Sequence, residues 1–119
     1  MDYNVSYKLY IQARKHLDDG DLEGAITLFA KSNALYTHYK TLELWGECEI
    51  KLGNYQKAIR ILIQAVNLNH SAKPKSLLAL AYKNSGEILK SKDLASEVLS
   101  SDPNNKICIE VLNQIKTMS

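Results

Sequence analysis

Along most of the chain, apolar residues return every three or four positions. Leu22, Ala25, Ile26 and Phe29 stand at i, i+3, i+4 and i+7, and Tyr55, Ala58, Ile59, Leu62 and Val66 repeat that spacing. Such residues share one face of a helix, because about 3.6 residues complete a turn. Leu9 with Ala13, Leu42 with Trp45, Leu78 with Ala81 and Tyr82, and Ile88 with Ala95, Val98 and Leu99 carry the same period into four further segments. Alternating β-branched runs are missing, and Pro74 and Pro103 are the only prolines. The pattern predicts an all-helical chain.

Glycines divide the helical stripes at a fixed interval. Gly20, Gly53 and Gly86 lie 33 residues apart, and each is followed by a polar residue and then an apolar one: Gly20-Asp21-Leu22, Gly53-Asn54-Tyr55, Gly86-Glu87-Ile88. A helix that must stop and turn back needs a left-handed residue just past its end, which glycine adopts without strain. Asp21 and Asn54 are suited to cap the returning helix, and Glu87 suits its positive end. Each unit therefore reads as helix, tight turn, helix. Units repeated at this period bury their apolar faces only against their neighbours, as a solenoid does.

These residues resemble the tetratricopeptide repeat (TPR), a pattern of Trp-x2-Leu-Gly-x2-Tyr followed by Ala-x3-Phe and then Pro. Ala25-x3-Phe29 and Ala58-x3-Leu62 match its second helix, and Leu42-x2-Trp45-Gly46 and Leu78-Ala79-x2-Tyr82 resemble its first. Asp102-Pro103-Asn104-Asn105 resembles its inter-repeat turn. Departures occur at Gln12-Ala13, His16, Glu49 and Ser91-x3-Ala95, and the first two repeats end in Thr37 and His70 rather than proline. The period is one residue below the family's usual 34, and the shortening is expected in the turns between repeats. The resemblance implies a single domain over 1–119 with an all-α, right-handed superhelical fold. Its three helical hairpins would fall at about 3–38, 39–71 and 72–105, with a capping helix at 106–118 whose Ile107, Val111, Leu112 and Ile115 cover the last apolar face. Pro74 fits the first turn of a helix, where its missing N–H costs nothing. Trp45 could serve as a ligand platform, but its helical phase with Leu42 places it in the core.

The resemblance also implies a non-enzymatic binding module whose first helices line a concave groove for a peptide or helix of a partner protein. By matched position that groove comprises Tyr7, Tyr10 and Arg14, then Lys40, Glu43 and Glu47, then Lys73, Ser76, Leu80 and Lys83. Spacing supports the first group independently, since Tyr3, Tyr7, Tyr10 and Arg14 form one stripe at i, i+4, i+7 and i+11. Tyrosines beside an arginine give large contact area and directional donors. Tyr3 and Tyr7 could equally shield the open end of the solenoid. An acidic centre at Glu43 and Glu47, between Arg14 and the pair Lys73 and Lys83, would prefer a partner of mixed charge with apolar anchors. Chaperone-adaptor TPR domains clamp a C-terminal carboxylate with Lys, Asn and Arg, but the matching positions here are Tyr10, Arg14, Leu44, Lys73 and Leu77. Only Lys73 keeps its type, and leucines offer no donor to replace a carboxylate's water. Carboxylate clamping is therefore not expected.

Composition narrows the remaining classes. The 119 residues are 45% hydrophobic and 24% charged with a formal net charge of +2, which fits a folded chain and gives no basic stripe for nucleic acid. No apolar run is long enough to span a membrane, and Met1-Asp2-Tyr3-Asn4 has no secretory signal character, so a cytoplasmic setting is expected. Cys48 and Cys108 are expected as free buried thiols. No catalytic pairing, metal motif or cofactor loop is found; Asp18-Asp19-Gly20-Asp21 has its glycine too early for a calcium loop, and His16, His38 and His70 stand apart. Two further readings stay open. Thr37-His38-Tyr39, Gly46-Glu47-Cys48 and Gly53-Asn54-Tyr55 resemble stretches of class II type III secretion chaperones, implying a substrate-holding role. Exposed solenoid ends would instead imply a self-associating structural unit, a homo-oligomer.

Overall fold

The protein is described here from a computed structural model, over residues 2–118. These form seven helices and no strand: α1 (Asp2–Asp18), α2 (Leu22–Leu35), α3 (Tyr39–Lys51), α4 (Tyr55–Leu68), α5 (Ala72–Asn84), α6 (Ile88–Ser101) and α7 (Lys106–Lys116). Residues 36–38 separate α2 from α3 and 69–71 separate α4 from α5, whereas 102–105, with Pro103, separate α6 from α7. The shortened period thus resides in the first two inter-pair turns.

The three glycines end α1, α3 and α5 with φ of 83°, 82° and 90°. A Cβ added at any of them would meet nothing within 4 Å, so the demand for glycine is conformational rather than steric. The same backbone bond closes each turn: Asp21 N to His16 O at 2.8 Å, Asn54 N to Glu49 O at 2.8 Å and Glu87 N to Tyr82 O at 2.9 Å. This six-to-one closure is the Schellman motif. Asp21 caps α2 by accepting from Gly24 N at 3.0 Å. Asn54 does not cap α4. Its side-chain amide is turned to the Glu49 carboxylate, donating Nδ2–H to Oε1 at 2.9 Å, a buried acceptor that needs a donor more than backbone amides that water can reach need Asn54 Oδ1.

Helix packing follows chain order, with α1 on α2, α3 on α4, α5 on α6 and α7 closing against α5 and α6. The odd helices α3, α5 and α7 also touch in succession, and the molecule extends 49 × 25 × 22 Å. Ala13, Ala25, Phe29 and Cys48 form one buried cluster, Ile50, Ala58, Ile59, Leu62, Leu77, Leu78 and Ala81 a second, and Ala79, Ala95, Val98, Cys108 and Val111 a third. A Cβ on Gly46 would stand 2.5 Å from Leu62 Cγ, which is why this position is glycine. Ser91, where the repeat usually has alanine, is fully buried, and its hydroxyl donates to Ala79 O at 2.7 Å. A hydroxyl is tolerated there because the neighbouring helix offers a carbonyl. Trp45 is half-buried between two clusters. Cys48 and Cys108 are free and buried, and burial pushes the Cys48 thiol up to about 11, so it stays protonated and inert.

Candidate partner-binding face

The tyrosine stripe of α1 is built on the core beneath it. Tyr10 is half-buried with its ring centroid 6.1 Å from that of Phe29. Tyr7 stacks on Tyr10 at 6.2 Å, and the Arg14 guanidinium lies 5.9 Å over the Tyr10 ring. Tyr7 and Arg14 are exposed, so the outer part of the stripe is open to a partner while Tyr10 also serves the fold. Tyr3 meets Tyr36 edge-on at 5.1 Å.

These rings wall a recess of about 120 Å³ between α1, the end of α2 and the start of α3. Ser6 and Ser32 form its floor. Ser6 Oγ donates to Ser32 O at 2.8 Å, and Ser32 Oγ donates to Ser6 O at 2.7 Å, so the floor is polar but saturated and pins α1 to α2. His38, Lys40 and Thr41 complete the rim. His38 caps α3 by accepting from Lys40 N on Nδ1 at 3.1 Å.

Past the recess, Glu43 is only 2% exposed. Lys40 Nζ lies 3.7 Å from its carboxylate. Burial raises the Glu43 pKa, opposed by the nearby charges of Lys40 and Lys73. A raised folded-state pKa means that protonation favours the fold, so stability gained below the ordinary glutamate range is lost as pH rises through the raised value. Glu43→Gln should therefore raise the melting temperature at pH 7, and the difference should vanish near pH 4. A variant less stable than wild type at pH 7 would show instead that the ionised carboxylate is a net stabilising partner of the two lysines.

The other matched positions separate by burial. Glu47 pairs with Lys51 at 3.4 Å on α3, and Lys73 is exposed. Leu80 lines a shallow trough with Ile107 and Val111 of α7, beside Lys83, which is held by the Gln114 side chain. Ser76 has no exposed surface, and its hydroxyl donates to Ala72 O at 2.6 Å, so it offers a partner nothing directly. Leu77 is buried, and Leu44 packs on the Phe29 cluster. Two positions where a carboxylate clamp needs donors are thus committed to the core. Ser6, Ser32, Tyr36, His38 and Thr41 escape sequence reasoning. Tyr36 and His38 lie in an inter-helix turn where periodicity assigns no face, and the Ser6–Ser32 contact joins two helices. The one available signal was the stripe Tyr3, Tyr7, Tyr10, whose rings line the recess.

The family model for anaphase-promoting complex, cyclosome, subunit 3 matches residues 2–65. The chain belongs to this family. Its fold is that of the tetratricopeptide repeat, shared with several solved domains. The TPR domain of Arabidopsis OM64 superposes with a TM-score of 0.92 at 11% identity, covering 100% of both chains. The first TPR of Spaghetti (RPAP3), bound to the HSP90 peptide SRMEEVD, gives 0.91 at 21% identity over 98% of this chain and 94% of that one. The second TPR domain of human RPAP3, in complex with the HSP70 peptide SGPTIEEVD, gives 0.84 at 21% identity over 93% and 98%. No curated protein sequence matches this TPR chain. None of its described helices is long and apolar enough to cross a membrane.

Proposed function

We propose that the protein is a non-enzymatic interaction module that holds a peptide or helix of a partner protein along the face built by α1, α3 and α5. The observation that carries this reading is the open stack of Tyr7 and Arg14 on Tyr10, with Tyr10 itself seated on Phe29. Aromatic rings and a guanidinium held by a packed core lose little freedom on binding, which is what a recognition surface requires. Solved domains of the same fold bound to HSP90 and HSP70 peptides support a peptide ligand. Leu44 and Leu77 argue against a ligand gripped chiefly by its terminal carboxylate. The alternation of Arg14, Lys40, Glu47 and Lys73 on the accessible surface favours a partner segment of mixed charge, whereas Glu43 is buried and faces no partner.

The test exploits the exposure of two residues. Tyr7→Ala with Arg14→Ala should leave helicity and melting temperature nearly unchanged and weaken partner capture from the protein's own cell lysate by about tenfold or more. Undiminished capture by the double variant would refute the groove. Light scattering on the isolated chain addresses self-association, for which Tyr3, Tyr7 and Ile109 are exposed at 55%, 55% and 41%. A mass that grows with concentration and falls on Ile109→Ser would favour that reading over the adaptor.

A further inference from the structure

The tyrosine-walled recess contains a polar group that the protein leaves unpaired. Thr41 is 2% exposed and lines the recess, and its hydroxyl, which is not one of the buried orphaned atoms, makes no side-chain hydrogen bond among the described residues and keeps its access to the recess. A hydroxyl that opens on a recess without a protein partner is free to donate to an acceptor bound there. Its neighbours share that character. Because His38 Nδ1 accepts the Lys40 N–H, the neutral ring carries its hydrogen on Nε2 and is a donor there. Lys40 offers only donors, its side chain 47% exposed and its ammonium 3.7 Å from the Glu43 carboxylate, and among the described residues no carboxylate lines the recess itself. The walls, by contrast, are aromatic, and the serine floor is saturated. At about 120 Å³ the space is slightly smaller than the cavity of about 150 Å³ known to hold benzene, which suits one Leu-sized side chain.

We propose that this recess is an anchor site for a Leu-sized apolar side chain of the partner, whose adjacent acidic residue is received by Thr41, His38 and Lys40. This rests on the groove reading above and names the chemistry at its N-terminal edge. The walls select the apolar group by area, and the three donors select the carboxylate.

The probe is N-acetyl-Leu-Asp-amide, titrated at millimolar concentration into ¹⁵N-labelled protein. Saturable shifts should centre on Ser6, Tyr36 and Thr41, with affinity about threefold or more above that of N-acetyl-Leu-Lys-amide, and N-acetyl-Ser-Asp-amide should not saturate. Thr41→Val should weaken the Leu-Asp probe by about fivefold while leaving the melting temperature nearly unchanged, because the substitution keeps the shape and breaks no hydrogen bond within the protein. Lys40→Gln should erase the preference for Asp over Lys. Equal binding by Thr41→Val, saturation by the Ser-Asp probe, or a fall in melting temperature matching the loss of binding would each overturn the assignment. Partner capture that needs Tyr7 and Arg14 but ignores Thr41→Val would overturn the recess alone. Capture indifferent to Tyr7 and Arg14 would remove the groove reading itself.

Discussion

Phe29→Ala should lower unfolding free energy by about 3–5 kcal/mol and the melting temperature by roughly 10–20 °C. The ring is fully buried and joins Ala13 and Ala25 of the first helix pair to Cys48 of α3. Truncation removes its transfer free energy and leaves a cavity that closely packed helices close only in part. A second effect reaches the surface. Tyr10 rests on this ring, and Tyr7 and Arg14 rest on Tyr10, so the variant should also weaken partner binding under conditions where it remains folded. Phe29→Leu keeps most of the volume and should cost less than about 1.5 kcal/mol. Thermal melts followed by circular dichroism decide the matter: an alanine variant within 3 °C of wild type would mean that the cluster does not hold the first two helix pairs together.

Glu49→Ala is expected to cost about 2–4 kcal/mol, the second largest effect. Its carboxylate is 1% exposed, where a tyrosine is usual in the repeat. It accepts from Trp45 Nε1 at 3.0 Å and from Asn54 Nδ2 at 2.9 Å, and Lys57 Nζ lies 3.3 Å away. Lys57 is half exposed, so solvent screens its charge and the hydrogen bonds carry most of the weight. Removing the acceptor strands the half-buried indole N–H and releases the Asn54 side chain that ties the turn to α3. Lys57 also lies 5.8 Å over the Trp45 ring, so the indole would lose both of its polar contacts' geometry together. Glu49→Gln retains an acceptor and should cost clearly less. Equal losses for the two substitutions would assign the effect to volume rather than to hydrogen bonding.

Both effects bear on what one dimension of information can reveal. Phe29 is legible because Ala25-x3-Phe29 repeats as Ala58-x3-Leu62 one period later. Glu49 reads only as a departure from the repeat; its partners Asn54 and Lys57 lie on the far side of a turn. Ser76 shows the opposite failure. Its matched position places it toward the groove, yet as a small residue it is covered entirely by its neighbours. Asn54 has the right residue type for a cap, but its amide is turned to donate to the buried Glu49 carboxylate. Glu43 keeps its position on α3, but its burial, and the raised pKa that burial causes, depend on how the helices pack together.

The all-helical class, the turns at Gly20, Gly53 and Gly86 and the apolar faces were determined by the amino-acid order alone. Their causes act within about one helical turn: periodicity, left-handed backbone and chain reversal. The paired serines Ser6 and Ser32, the aromatic recess and the buried carboxylates were decided only in three dimensions. Those groups lie on different helices, and the rotation and separation of packed helices, which no local pattern specifies, determine whether a polar side chain finds a partner or is left facing a cavity.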